Sequence, residues 1–340
     1  MWSEYVSRAF QLLGHTTSLL RYSSDLHRSL GIRDRIRRKL LGSDRFQIER
    51  TLDSALNDNV NLIHRVDEFQ PDLLFVLKGE PFLPETLATV KKRLKGPMIH
   101  WSGDNPFWFP NIVGSFGIYD HFFVADEHYV DKVLEHGGHN VSYLAHAVDE
   151  EVYSEDIEPS SQKCDVIFVG DSRHQMGHLP ENWRRVEFVE AVAGIGCNLA
   201  IYGRGWDKLP QEYDLHASVR AETLLPATRV AAAYKSSSIV LNVHHAQMVD
   251  GTNMRTFEAG ALGAFQLVDQ RKSLNSLFNP PEDIVCYSSV SNLVELVSHY
   301  LNNPKERLLI AEKTKKAVLN KHTYRKRMNE VLGLVVGDAS

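Results

Sequence analysis

Short runs of apolar residues, many ending at Gly, Asp or His, alternate along the chain with longer segments of helical period. Runs that are apolar throughout, rather than alternating with polar residues, suit parallel strands whose two faces are covered by crossover helices. In the first half this pattern predicts strands at Leu73–Leu77, Met98–Trp101, His121–Ala125 and Val141–Leu144, with helices over Pro84–Leu94 and His128–His136. In the second half it predicts strands at Asp165–Val169, Asn198–Tyr202, Ile239–Val243, Phe265–Val268 and Ile284–Tyr287. Helices are expected there at Trp183–Val192, Thr252–Leu262, Val290–Leu301 and Pro304–Asn320, the last with Asn303 as its N-cap and proline in its first turn.

Between the two series, residues 149–163 (DEEVYSEDIEPSSQK) are acidic and polar with no apolar period, which marks a linker. The expected organisation is a domain over 1–150, a second over 163–320 and a C-terminal helix over 321–340. An α/β domain usually opens on an apolar strand, yet this chain opens on a helix, Ser3–Leu13, followed by a short strand at Ser18–Tyr22. The first strand of that domain is therefore expected to be missing.

A length of 340 residues gives each of two domains room for its own core, and a net charge of -5 supplies no electrostatic case for nucleic acid as partner. The cysteines Cys164, Cys197 and Cys286 are odd in number and widely spaced, which spells neither a disulfide framework nor a CxxC metal site and fits a reducing cytoplasm. No apolar run approaches the ~20 residues of a membrane span. From Arg28 to Arg50 the chain is basic and amphipathic, a pattern that reads either as a solvated surface helix or as weak contact with an anionic membrane.

The segment richest in chemistry runs from Val240 to Asp269. A strand ends near Val243, a polar loop follows, and a helix begins behind Gly251. Ligands of open α/β sheets bind beyond the carboxyl ends of strands, where a helix start offers free N–H groups and a positive dipole end to an anion. A diphosphate is expected at Gly251, Thr252 and Asn253. Thr252, Arg255 and Glu258 follow one another at i+3 and so share a helix face. Asp250 and Glu258 can accept hydrogen bonds from sugar and ribose hydroxyls, and Arg255 can balance phosphate charge. Two further strand ends carry glycine with arginine: Gly170 with Arg173, and Gly203 with Arg204 and Trp206, where glycine admits close approach and tryptophan offers a face to a base.

These segments resemble the CgeB-like (spore maturation protein) family of glycosyltransferases. The matching pieces are Trp101–Pro106 (WSGDNP), Tyr143–Asp149 (YLAHAVD), Ile201–Trp206 (IYGRGW), Gly251–Gly260 (GTNMRTFEAG) and His322–Arg327 (HTYRKR). The resemblance implies a GT-B fold, two Rossmann-like domains with mostly parallel sheets facing across a cleft, and a metal-independent transfer of sugar from a nucleotide-diphosphate donor, with no cofactor. It further implies that Glu258 holds the donor ribose and that Asp250 stands where related enzymes carry the first acid of an E-x(7)-E pattern, here Asp in place of Glu.

An inverting reaction would need a base in the first domain, for which Asp104 and His121 at strand ends are the candidates. Asp104 followed by Asn105 and Pro106 reads equally as a cap or turn. The pairs His174/His178 and His244/His245 lack a third ligand at useful spacing, so no metal site is expected. The acceptor, whether glycan, lipid-linked or protein, is not specified. A nucleotide-sugar epimerase on the same fold and a non-catalytic nucleotide-sugar-binding or coat protein are the competing readings.

Overall fold

The computed structural model describes residues 2–22, 43–154, 156–172, 180–209, 215, 220–222 and 226–336. Its contacts divide the chain into two compact units: Met1–Ala125 with Tyr129–Leu144 and Leu332–Ser340, and Asp126–His128 with Ala145–Val331. Both are α/β.

The first unit is built on a four-stranded sheet in the order β1-β2-β3-β4, with β1 Leu74–Leu77, β2 Met98–Ser102, β3 His121–Val124 and β4 Val141–Tyr143. All three pairings are parallel, in the registers Leu74↔Met98, Ile99↔His121 and Phe122↔Val141. Each strand matches its apolar run to within one residue at either end. The core beneath it gathers Val76, Leu87, Val90, Met98, Phe122 and Val133, each at most 4% exposed. Helices Trp2–Leu12, Ser43–Phe69, Pro84–Lys91 and Val130–Glu135 are among those that flank the sheet.

Ser18–Tyr22 is not a strand. It is tied down by a side chain instead of a ladder: the Tyr22 hydroxyl donates to the Leu77 carbonyl at 2.5 Å and accepts from the Gly79 amide at 2.8 Å. Among the described residues no strand precedes β1. Residues 28–42 of the basic stretch lie outside the described residues, and 43–50 begin the helix Ser43–Phe69. No described helix is long and apolar enough to cross a membrane.

His100, in β2, is 0% exposed and stacks on Phe122 at 4.3 Å, and among the described residues neither ring nitrogen has a hydrogen-bond partner. Burial pushes its imidazole down to about 3. The unfolded chain therefore binds a proton below about pH 6.5 that the folded unit refuses until near pH 3, so stability falls as pH drops through that window. His100→Leu, of similar volume, is expected to stabilise the first unit by about 1–3 kcal/mol at pH 7 by removing two orphaned polar atoms. Urea titrations at pH 7 and pH 4.5 should also show a shallower acid loss in the variant.

The second unit carries a six-stranded parallel sheet in the order β10-β9-β8-β5-β6-β7. Its strands are β5 Cys164–Val169, β6 Leu199–Tyr202, β7 Arg220–Glu222, β8 Ser237–Asn242, β9 Gln266–Asp269 and β10 Val285–Tyr287. The chain winds outward from β5 to β7, returns to place β8 against β5 (Val166↔Ile239, Phe168↔Leu241), and winds outward again to β10. This doubly wound order puts its reversal between β5 and β8, where the connecting loops diverge to opposite faces and leave a crevice. Val166, Leu199, Ile201, Ile239 and Leu267 are all 0% exposed, and helices such as Pro180–Ala193, Val290–Asn302 and Pro304–Lys321 cover the sheet.

β7 has no counterpart among the apolar runs. It is a three-residue edge strand, and edge strands tolerate the Arg and Glu that a central strand would reject. The segment 149–163, expected as a linker, belongs to the second unit: Asp149 caps the turn that follows it by accepting from Glu151 N and Val152 N, both at 3.1 Å, and Ser160 N donates to Ala232 O at 3.0 Å. Asn303 occupies the N-cap position of Pro304–Lys321 but its side chain does not cap; its amide donates to the His299 carbonyl at 2.8 Å and closes the preceding helix instead. The C-terminal helix spans Tyr324–Val336. Just before it, Val148 and Thr323 form a parallel bridge, and Arg327 donates to Ala145 O at 3.0 Å, which joins two of the quoted motif segments.

Candidate functional site

Beyond β8 the loop 243–253 leads into the helix Met254–Ala261, which starts two residues later than its period suggested. The reason is Asn253. It adopts extended backbone (φ -82°, ψ 168°), and its Oδ1 accepts from Thr256 N at 3.2 Å, an N-cap that fixes where the helix begins. Asn242 at the end of β8 holds that cap, accepting from Asn253 Nδ2 at 2.8 Å. The amides of Met254 and Arg255 head the helix, where geometry gives them no intrahelical acceptor and the macrodipole adds positive potential. An anion placed there meets two aligned donors.

Thr252, expected on the helix face, precedes the helix and is 0% exposed. The polar face therefore reduces to Arg255 and Glu258, both half-buried, while Phe257, Ala259, Gly260 and Ala261 pack inward. Gly260 is required: a Cβ there would stand 2.8 Å from Val318 and 3.1 Å from Thr314 of the helix Pro304–Lys321. Burial pushes the Glu258 carboxyl up, opposed by the Arg255 guanidinium and by a hydrogen bond from Tyr153. Tyr234, also 0% exposed, lies in the field of Glu258 and Arg255, and its hydroxyl has no partner among the described residues.

Asp250 is placed by Asp126, a residue the sequence reading passed over. The Asp126 carboxylate, 2% exposed, accepts from Val249 N at 2.6 Å and from Asp250 N at 3.2 Å, and His128 Nδ1 stands 4.0 Å from Asp250 Oδ2.

Below the loop runs a second arrangement absent from the sequence reading. His244 bonds through Nδ1 to Asp269 Oδ1 at 2.5 Å and through Nε2 to Thr252 Oγ1 at 2.9 Å. Thr252 in turn meets Thr256 Oγ1 at 2.8 Å, which accepts from Asn242 Nδ2 at 2.9 Å. Arg271 closes the other end on Asp269 Oδ2. Burial alone would raise Asp269, but His244 and Arg271 outweigh it and hold the carboxyl well below its usual range. For His244, burial prevails and lowers the imidazole, so the stable pair is an ionised aspartate and a neutral histidine. A cavity of about 230 Å³ opens beside this pair, against Phe188, Arg271 and Tyr287.

The glycine-rich strand ends turn inward. A Cβ on Gly203 would lie 2.1 Å from the Gly170 carbonyl oxygen, so glycine there serves the approach of two backbone strands and not of a ligand. Gly170 N donates to Tyr202 O at 2.8 Å and Ser172 N to Arg204 O at 2.9 Å, which leaves the pair no room to separate. Gly203→Ala is expected to cost about 3 kcal/mol or more, read as lost second-unit stability in urea titration. Trp206, expected to stack on a base, is 4% exposed, donates from Nε1 to Gly170 O at 2.8 Å and packs edge-on against Phe168 at 5.4 Å. It is core. Arg204 is exposed and held by both oxygens of Asp171, with Nη2–Oδ2 at 2.9 Å, while Arg173 lies outside the described residues.

In the first unit Asp104 and His121 lie at opposite edges of the sheet. Asp104 follows the carboxyl end of β2 and pairs with Lys78 at 2.5 Å. Lys78 itself holds left-handed backbone (φ 62°) ahead of Gly79 (φ 80°). The neighbouring Asn105 is a true cap, accepting from Phe107 N at 3.0 Å. His121 begins β3, across from Ile99, so it sits at the amino edge, bonded to Ser142 at 3.1 Å and stacked on Phe123 at 4.2 Å. The expectation of His121 as a base at a functional strand end is corrected by that placement. Among the described residues no cluster of three or more His, Cys, Asp or Glu could hold a metal ion.

Residues 184–333 match a family model described as glycosyl transferase-like. No curated protein sequence matches the chain. Among solved structures, the chain is similar to sucrose-phosphate synthase from Thermosynechococcus elongatus, at 12% identity over 86% of this chain and 80% of that one, with a TM-score of 0.63. It is similar to HepE of Anabaena in complex with UDP, at 10% identity over 83% and 82%, TM-score 0.60. A structure from Listeria monocytogenes described as a UDP-N-acetylglucosamine 2-epimerase superposes at 13% identity over 85% and 80%, TM-score 0.52. The chain thus has the GT-B fold of the glycosyltransferases, with a glycosyl transferase-like match spanning residues 184–333.

Proposed function

We propose that this protein is a glycosyltransferase that moves a sugar from a nucleoside-diphosphate donor to an acceptor hydroxyl. The observation that carries the reading is the grouping, on one loop and helix beside the crevice of the doubly wound sheet, of Asp250, the amides heading Met254–Ala261, Arg255 and Glu258. In the transfer the acceptor oxygen forms a bond to the sugar's anomeric carbon as that carbon's bond to the diphosphate oxygen breaks. Negative charge gathers on the departing diphosphate, and fixed N–H groups with a nearby guanidinium stabilise it most where it grows. Met254 N, Arg255 N and the Arg255 side chain take that role in this reading, with Arg204 as a second cation. Glu258 receives the ribose hydroxyls, and Asp250 receives a sugar hydroxyl. Asp104 has the chemistry to take the proton that the acceptor hydroxyl loses. The reading needs no metal or cofactor.

The likeness to HepE, solved with UDP and with UDP-glucose, supports a uridine donor. Thermal shifts against UDP-, GDP- and ADP-sugars test the reading. One donor at about a hundred times its Kd is expected to stabilise the protein by about 2.7 kcal/mol. No shift with any donor would refute it.

A second reading, a nucleotide-sugar epimerase, is supported by the likeness to the Listeria structure. Incubation with UDP-N-acetylglucosamine and no acceptor separates the two: accumulation of an epimer favours the epimerase, and release of UDP favours transfer.

A further inference from the structure

We propose that Thr252 is a positioning residue of the donor site, its hydroxyl fixing the turn that presents the Met254 and Arg255 amides to the diphosphate. The inference rests on the donor reading above. It begins from the directions of the buried hydrogen bonds, which leave one consistent assignment. Asp269 is ionised, so it can only accept, and His244 Nδ1 must carry the hydrogen toward it at 2.5 Å. On a neutral imidazole, Nε2 is then an acceptor, so the Thr252 hydroxyl must donate to it across 2.9 Å. With its hydrogen spent, Thr252 Oγ1 accepts from the Thr256 hydroxyl at 2.8 Å, and Thr256 Oγ1 accepts from the Asn242 amide at 2.9 Å.

This chain of donors joins the end of β8 (Asn242), the loop (His244 and Thr252), the first turn of the helix (Thr256) and the end of β9 (Asp269). His244 is 4% exposed, and Thr252 and Thr256 are 0% exposed, so the links are shielded from bulk water and a missing one is costly. Thr252 stands at its centre, two residues before the first helical amide. A methyl in place of its hydroxyl leaves Nε2 without a donor and the Thr256 hydrogen without an acceptor. Valine matches threonine in shape, so a threonine serving packing alone would be replaced by valine without loss, whereas one serving position would not.

The test compares wild type, Thr252→Val and Thr252→Ser by calorimetric titration with UDP and by hydrogen exchange of the ligand-free segment 244–257. Thr252→Val is expected to weaken UDP binding at least about tenfold and to speed exchange of that segment, while Thr252→Ser, which restores the hydroxyl, recovers affinity to within about threefold. Wild-type affinity and unchanged exchange in Thr252→Val overturn the inference alone. Wild-type protein that binds no UDP, GDP or ADP overturns the donor reading and the role of Thr252 with it. Should Thr252→Val not fold, Thr252→Ala, which likewise lacks the hydroxyl, bears the same comparison, and full affinity in it is equally contrary.

Discussion

Glu258→Gln is expected to weaken binding of a nucleoside diphosphate by about ten- to a hundredfold while leaving the ligand-free protein at least as stable as wild type. The two halves of the expectation have separate causes. Hydrogen bonds to a charged acceptor contribute about 1.5–3 kcal/mol, and glutamine keeps one carbonyl acceptor but loses the charge and the second oxygen. Without ligand, burial raises the Glu258 carboxyl above its ordinary value, which means that the ionised form is the costly one. A raised folded-state acid favours folding in acid and loses that contribution as pH rises through and above its unfolded value. Glutamine, which cannot ionise and still accepts from Tyr153, is free of that loss at neutral pH. Calorimetric titration and thermal melts on the same two proteins read both halves, and undiminished affinity in the variant would remove Glu258 from the site.

Asp269→Ala is expected to destabilise the second unit by about 3–5 kcal/mol. The carboxylate accepts from His244 N at 2.9 Å, from His244 Nδ1 and from Arg271, so alanine leaves a half-buried guanidinium without its counter-charge and two donors of the buried, neutral His244 without their acceptor. Because the folded-state carboxyl is held below its unfolded value, the wild-type protein draws stability from it above about pH 4 and loses that stability as pH falls. The variant should show a lower midpoint in urea at pH 7 and a smaller difference from wild type at pH 3. A midpoint equal to wild type at pH 7 would mean that the pair contributes no net stabilisation.

The sequence was most legible where one segment carries its own signal. Runs such as Phe168 with its neighbours in β5, or Leu199–Tyr202 in β6, are apolar throughout because both faces are covered, and they were placed to within a residue or two. The helix carrying Arg255 and Glu258 could be found for the same reason, since spacing along one helix is local information. What failed was long-range. Nothing in the adjacent His244 and His245 says that the first bonds to Asp269, which is 25 positions later and on the next strand. Asp126 is farther still from the Val249 amide it holds, 123 positions away. Trp206 was misread because an aromatic after a glycine-bearing strand end has the same local signature whether it faces a base or folds back on Gly170. His121 was misread because a strand end has two edges, and only the parallel register to Ile99 shows which one it occupies.

The most direct measurement is a crystal structure of the protein with a bound nucleoside diphosphate, UDP first. The pyrophosphate oxygens are predicted to lie about 3 Å from the Met254 and Arg255 amides, with the ribose hydroxyls on the Glu258 carboxylate. A diphosphate seated elsewhere, for instance in the cavity beside Phe188 and Arg271 with Glu258 untouched, would contradict the account.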